Sequence, residues 1–127
     1  MDIIISNSSA DPIYQQIVNQ IKAMIMDGKL HEGDALPSMR NLAQQLRISV
    51  ITTKRAYEEL ERDGMIESVT GKGSFIKAQN PELMREEHLR KIEMLLANVA
   101  ETASMAHITS TELHEMLDLL LEDQTNN

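Results

Sequence analysis

The chain has 127 residues, 42% of them hydrophobic, with no Cys, no Trp, one Phe and two Tyr. That is a globular composition whose core must rest on Leu, Ile, Val and nine Met; disulfides, thiolate nucleophiles and Cys-ligated zinc are excluded. The formal net charge of −8 argues against a nucleic-acid partner if it is spread evenly.

It is not spread evenly. Residues 1–77 hold nine Lys and Arg against ten Asp and Glu, whereas residues 78–127 hold three against ten. The chain reads as a near-neutral module followed by an acidic one. No apolar run approaches the ~20 residues of a membrane span, and no basic stretch leads into an apolar signal core. The expectation is a soluble, cytoplasmic protein without a membrane partner.

Asp11-Pro12 reads as a helix start, Asp as the cap and Pro at the first helical position, where a missing N–H costs nothing. Ile13, Ile17, Ile21, Met24 and Ile25 make one helical stripe, and Gly28 ends the helix in the left-handed conformation, giving a helix over 12–27. Gly28, Gly33 and Pro37 mark a connector. Ser38 caps a short helix carrying Leu42, Ala43 and Leu46. After a turn at Arg47-Ile48, Ser49 caps a third helix running to about Asp63, with Thr53, Ala56, Tyr57 and Leu60 inward and Gly64 as the stop. Two short helices with so tight a turn suggest a helix-turn-helix.

Met65–Val69 and Ser74–Lys77 read as strands around a Thr70-Gly71-Lys72-Gly73 turn. The two Gly let backbone approach a surface closely, and Lys72 offers a charge for phosphate. The plainer reading is a structural hairpin with a solvated lysine. A hairpin directly behind a helix-turn-helix makes a winged helix.

Asn80-Pro81 repeats the cap-plus-Pro start. Leu89, Ile92, Leu96, Val99, Ala103 and Ala106 then alternate steps of three and four, a heptad seam on a helix over 81–104. Thr109 and Glu112 form a capping box for a last helix with Leu113, Met116, Leu117, Leu120 and Leu121 apolar. One hairpin makes a thin core and two make a four-helix bundle, so residues 81–122 are expected to form a homodimer. Packing of the hairpin onto the first module is the alternative.

Residues 12–77 resemble the DNA-binding domain of the GntR family of bacterial transcription regulators. The resemblance is carried by Pro12-Ile13-Tyr14-Gln15-Gln16-Ile17, by Gly33-Asp34-x-Leu36-Pro37-Ser38-x-Arg40-x-Leu42-Ala43, by Thr52 and Ala56-Tyr57-x-x-Leu60, and by Gly64-Met65-Ile66 and Gly71-x-Gly73-x-Phe75. It implies DNA contact by Arg40 beside the Ser38 cap. It also implies contact by the recognition-helix start, Ser49 with Val50, Ile51, Thr52, Lys54 and Arg55, and by the wing tip Gly71, Lys72 and Gly73. Val50 and Ile51 depart from the family, whose members often carry Arg or Asn-Pro-Asn there. They either pack against the second helix or touch thymine methyl groups. The short C-terminal part resembles the YtrA subfamily, whose two C-terminal helices dimerise and whose members often repress transporter operons beside their own gene.

The expected fold is therefore mainly α with a small β-hairpin: a winged helix-turn-helix domain over 1–78 and a two-helix dimerisation hairpin over 79–127. The expected partners are a palindromic double-stranded DNA operator and a second copy of the chain; a small-molecule effector stays open. The alternative function is a protein-interaction module acting through the acidic hairpin. No enzyme, cofactor or metal is expected. His31, His88, His107 and His114 show no ligand spacing, Ser38 and Ser49 are explained as caps, and Gly71-Lys72-Gly73 lacks the longer phosphate-loop pattern.

Overall fold

In the computed structural model, which describes residues 1–125, the elements run α1 (Ile13–Met26), α2 (Met39–Leu46), α3 (Val50–Arg62), β1 (Ile66–Val69), β2 (Gly73–Ile76), α4 (Pro81–Ala106) and α5 (Ser110–Thr125). The fold is mainly helical with one antiparallel hairpin, as the sequence leads one to expect. It divides into two compact units, one ending at Met84 and the other beginning at Arg85, so the first turn of α4 belongs with the first unit.

The stripe on α1 becomes the floor of the first core. Ile17 and Ile21 are wholly buried, together with Leu42 of α2 and Ala56 and Leu60 of α3. Ile66 and Ile76 pair across the hairpin and close the core from the sheet side, both almost fully buried. Each such Ile or Leu side chain stabilises the fold by about 1.5–3 kcal/mol.

Asp11 does not cap α1. The N-cap position falls on Pro12, whose ψ of 156° keeps it outside the helix, and no side chain accepts a bond from the first turn. Asp11 is thus one residue too far away. At Asn80-Pro81 the expectation holds: α4 begins at Pro81, and the Asn80 carboxamide oxygen accepts from the Glu82 N–H at 2.9 Å.

Residues 3–6 run alongside α1, an arrangement the sequence gives no periodic hint of. Ile3 is buried and Ile5 packs partly against the core. Between them, Gln20 acts like a strand neighbour: its Oε1 accepts from the Ile4 N–H at 2.9 Å and its Nε2 donates to the Ile4 carbonyl at 2.8 Å. Gln16, one turn earlier, does the same for Ser6 at 2.8 and 3.0 Å. Two glutamines four apart on a helix thereby satisfy an extended backbone that has no strand partner.

The last part of the connector between α1 and α2, around Ala35, is also extended. Leu36 N–H donates to the Ser74 carbonyl at 2.9 Å, and Gly33 N–H donates to that of Ile76 at 2.8 Å. Ala35 bridges Phe75. Reading the segment as a plain connector misses this third partner of the hairpin.

The second unit is a helical hairpin. α4 extends to Ala106, two residues beyond the expected end, and His107 stops it with φ 57°. The capping box forms: Thr109 Oγ1 accepts from the Glu112 N–H at 3.2 Å, and a Glu112 carboxylate oxygen accepts from the Thr109 N–H at 2.8 Å. Ala103 is buried, whereas Leu89, Ile92, Leu96, Val99, Met116, Leu117 and Leu120 are exposed and Leu113 is half-buried. Leu96, Val99, Leu113, Met116, Leu117 and Leu120 line an open apolar cleft of about 320 Å³.

Candidate nucleic-acid interface

The helix-turn-helix is built from two capped helices and one unusual turn. Ser38 Oγ accepts from the Asn41 N–H at 3.1 Å, and Ser49 Oγ accepts from the Ile51 N–H at 3.1 Å. Between them Arg47 takes φ 57°. Its N–H donates to the Gln44 carbonyl, and the Ile48 N–H donates to that of Ala43 at 3.0 Å. This is the hydrogen-bond pattern in which glycine usually ends a helix.

The inner side of α3 is locked by two hydroxyls. Thr53 Oγ1, fully buried, donates toward the Met39 carbonyl at 3.1 Å and the Val50 carbonyl at 2.8 Å. The Tyr57 hydroxyl donates to the Pro37 carbonyl at 2.6 Å. Burial pushes the Tyr57 phenol up to about 12, because a phenolate would lose its water and gain nothing in the core. Threonine at position 53 thus does more than pack a methyl inward. Its hydroxyl ties the start of α3 to the start of α2.

With 53, 56, 57 and 60 inward, the opposite stripe faces solvent. Ile51 is 79% exposed and stands clear of the second helix, whereas Val50, 44% exposed, is partly covered. Thr52 is half-buried. Lys54 is exposed and lies 3.9 Å from Glu58 one turn on. Arg55 turns toward α1, its Cζ 3.8 Å from the centroid of the Tyr14 ring. Arg40 stands exposed in the first turn of α2.

At the wing, the Lys72 N–H donates to the Val69 carbonyl at 2.9 Å. Gly71 sits third in this turn with φ 77°, the position where a type II turn requires a positive φ. Gly71, Lys72 and Gly73 are all exposed, and Gly73 opens β2 rather than belonging to the turn.

Arg40, the α3 stripe and the wing tip all belong to the first compact unit, and all but the half-buried Thr52 are exposed. The sequence placed Tyr57 on the inner face of the third helix and assigned no face to Tyr14. It did not show the stacking on Arg55 or the bond to Pro37. Among the described residues, no group of three or more His, Asp or Glu could hold a metal ion, and no helix is long and apolar enough to cross a membrane.

Residues 13–76 match the family described as bacterial regulatory proteins, gntR family. The chain is 34% identical over 115 residues to the HTH-type transcriptional repressor YtrA of Bacillus subtilis, covering 91% of this chain and 88% of that protein. A solved transcriptional regulator from Oenococcus oeni superposes with a TM-score of 0.68 at 26% identity, covering 92% of this chain and 97% of that one. The DNA-binding domain of AraR, solved in complex with operator ORX1, superposes with a TM-score of 0.53 at 26% identity, covering 60% of this chain and 95% of that one. With the match spanning both hydroxyl-locked helices and the wing, and the likeness to YtrA reaching into the C-terminal hairpin, the chain belongs to the GntR family of bacterial transcription regulators, as a YtrA-like member with that family's winged-helix DNA-binding domain.

Proposed function

We propose that the protein represses transcription as a homodimer that reads a palindromic operator, controlling its own operon and linked genes, transporter genes among them. The observation that carries this reading is the outward stripe of α3, where Val50 and Ile51 are exposed beside Lys54 on a helix fixed from behind by Thr53 and Tyr57. Two β-branched apolar residues in water are costly to keep unless something covers them, and thymine methyl groups in a major groove offer such a cover. Ser49 and Thr52 flank the stripe as phosphate or base-edge donors. Arg40 and Lys72 supply phosphate contacts, with Gly71 and Gly73 letting the wing backbone enter a minor groove. The solved AraR–operator complex supports DNA as the partner, and the similarity to the Bacillus subtilis repressor YtrA supports repression.

Dimerisation falls to the second unit. Leu89, Ile92, Leu96, Val99, Met116, Leu117 and Leu120 are exposed on one chain, and a second hairpin would bury them as a four-helix bundle. The excess acidity lies on these helices, which keeps the bundle soluble and away from phosphate. Two recognition helices related by a twofold axis require half-sites about one helical turn apart, or a multiple of that.

The test is a gel-shift titration of the full chain on the DNA upstream of its own gene. Lys72→Ala is expected to weaken binding to all sequences alike, and Lys54→Ala to change sequence preference. If both variants bind as the unmodified protein does, the DNA-facing assignment is wrong.

A further inference from the structure

We propose that Arg55 is a phosphate clamp held ready by Tyr14, and that Tyr14 is a positioning residue for DNA binding although it lies on α1, outside the helix-turn-helix. The inference rests on the DNA-binding reading above. Arg55 Cζ lies 3.8 Å from the Tyr14 ring centroid. Tyr14 is itself half-buried and packed against the core, so its ring is a fixed platform. A guanidinium seated over a ring face at this distance is covered on one side and keeps its remaining N–H groups open. Its N–H donors remain in one plane, in the fork that matches two phosphate oxygens.

Position on the helix decides which part of DNA this fork can reach. Ile51, Lys54 and Glu58 share one stripe; Arg55 is rotated about 100° from Lys54 and leans toward α1, as the stacking shows. When the stripe faces base edges, the flank faces the sugar-phosphate wall. The neighbouring ion pairs point the same way. On α3, Lys54 lies near Glu58 and Arg62 is bonded to Glu59, whereas the contact of Arg55 is an uncharged ring. A cation stacked on an aromatic face keeps its full charge for an anion.

The experiment uses the full chain and two duplexes of equal length: one recovered by selection from a randomised library with the unmodified protein, and one scrambled. If selection recovers no duplex, the DNA-binding reading itself falls. With the selected duplex in hand, Arg55→Ala should lower affinity for both duplexes about tenfold at ~0.1 M salt. It should make the slope of log affinity against log salt shallower by about 0.9 and leave the selected sequence unchanged. Tyr14→Phe should bind as the unmodified protein. Tyr14→Leu should reproduce part of the Arg55→Ala loss and add nothing to it in the double variant. Arg55→Lys, which keeps the charge without the planar fork, should lose affinity several-fold. A changed selected sequence for Arg55→Ala overturns the clamp, because it would make Arg55 a base reader. Unmodified affinity for Arg55→Lys overturns it too, as do additive losses in the double variant. Should Tyr14→Leu fail to fold by circular dichroism, Tyr14→Met takes its place with the same expected and overturning outcomes.

Discussion

The Tyr57 hydroxyl and the Pro37 carbonyl, twenty residues apart, lie 2.6 Å from each other and join α3 to the residue that precedes the α2 cap. Proline has no N–H, so its carbonyl is the one backbone group through which position 37 can be tied. Removing the hydroxyl leaves a partly buried acceptor without its donor. Tyr57→Phe should therefore destabilise the fold by about 1–3 kcal/mol, read as a lowered midpoint in urea with an unchanged slope. An unchanged midpoint would mean that water replaces the phenol at no cost.

The same phenol predicts an alkaline limit. Its folded value is raised to about 12 from an ordinary value of 10.0. The folded state thus holds a proton that the unfolded state releases. The stabilising contribution of the neutral phenol is complete below pH 10 and is lost as pH rises from 10 toward 12. Tyr57→Phe should flatten the fall in stability across that window in pH-resolved urea titrations. Equal slopes for the two proteins would refute the assignment to Tyr57.

Arg47 and His107 both take φ 57°, a conformation that costs an L residue about 1–2 kcal/mol. Arg47→Gly removes that strain and adds backbone freedom to the unfolded chain, which offsets part of the gain. The net expectation is about 0.5–1 kcal/mol of added stability, a rise of a few degrees in Tm by calorimetry. A lower Tm would show that the Arg47 side chain, not its backbone, governs the turn.

Leu96 and Leu117 line the apolar cleft of the second unit and are 51% and 44% exposed. Since neither is deeply buried in one chain, Leu96→Glu and Leu117→Glu should spare the fold of the hairpin while placing charges in the proposed bundle core. The expected outcome is a shift from dimer to monomer in sedimentation velocity, with far-ultraviolet circular dichroism preserved. An unmodified protein that already sediments as a monomer would refute the bundle.

Ile51 is exposed to 79%, so Ile51→Ser should leave thermal stability within about 0.5 kcal/mol. If it touches a thymine methyl, discrimination at that base pair should fall by about 1–3 kcal/mol, measured by competition with single-base operator variants. Undiminished discrimination at every position would remove Ile51 from the reading set.

What the sequence revealed followed periodicity and punctuation. The stripes on α1 and α3, the serine caps, the Thr109–Glu112 box and the glycine-marked wing depend on residues within four or five positions of one another. What it hid depends on polar side chains meeting distant backbone. Gln16 and Gln20 lie outside the apolar stripe of α1 and carry no periodic signal, yet they pair with Ser6 and Ile4. The Gly33–Leu36 connector has turn composition, yet it runs beside β2. At Asp11 the local rule itself misled, since capping depends on where the first helical turn closes, and a shift of one residue cancels it.

Residues 36, 37 and 38 are each bonded to a different element: the Leu36 N–H to Ser74 on β2, the Pro37 carbonyl to Tyr57 on α3, and the Ser38 hydroxyl to the first turn of α2. One tripeptide is therefore the common mount for the wing and both helices of the reading motif. Probes fixed to one mount surrender little freedom when they meet a partner, and they have little capacity to adapt to a poor one. If the wing meets DNA as proposed, the accommodation falls to the duplex, and sequences that bend or widen easily there should bind better even where no side chain touches a base.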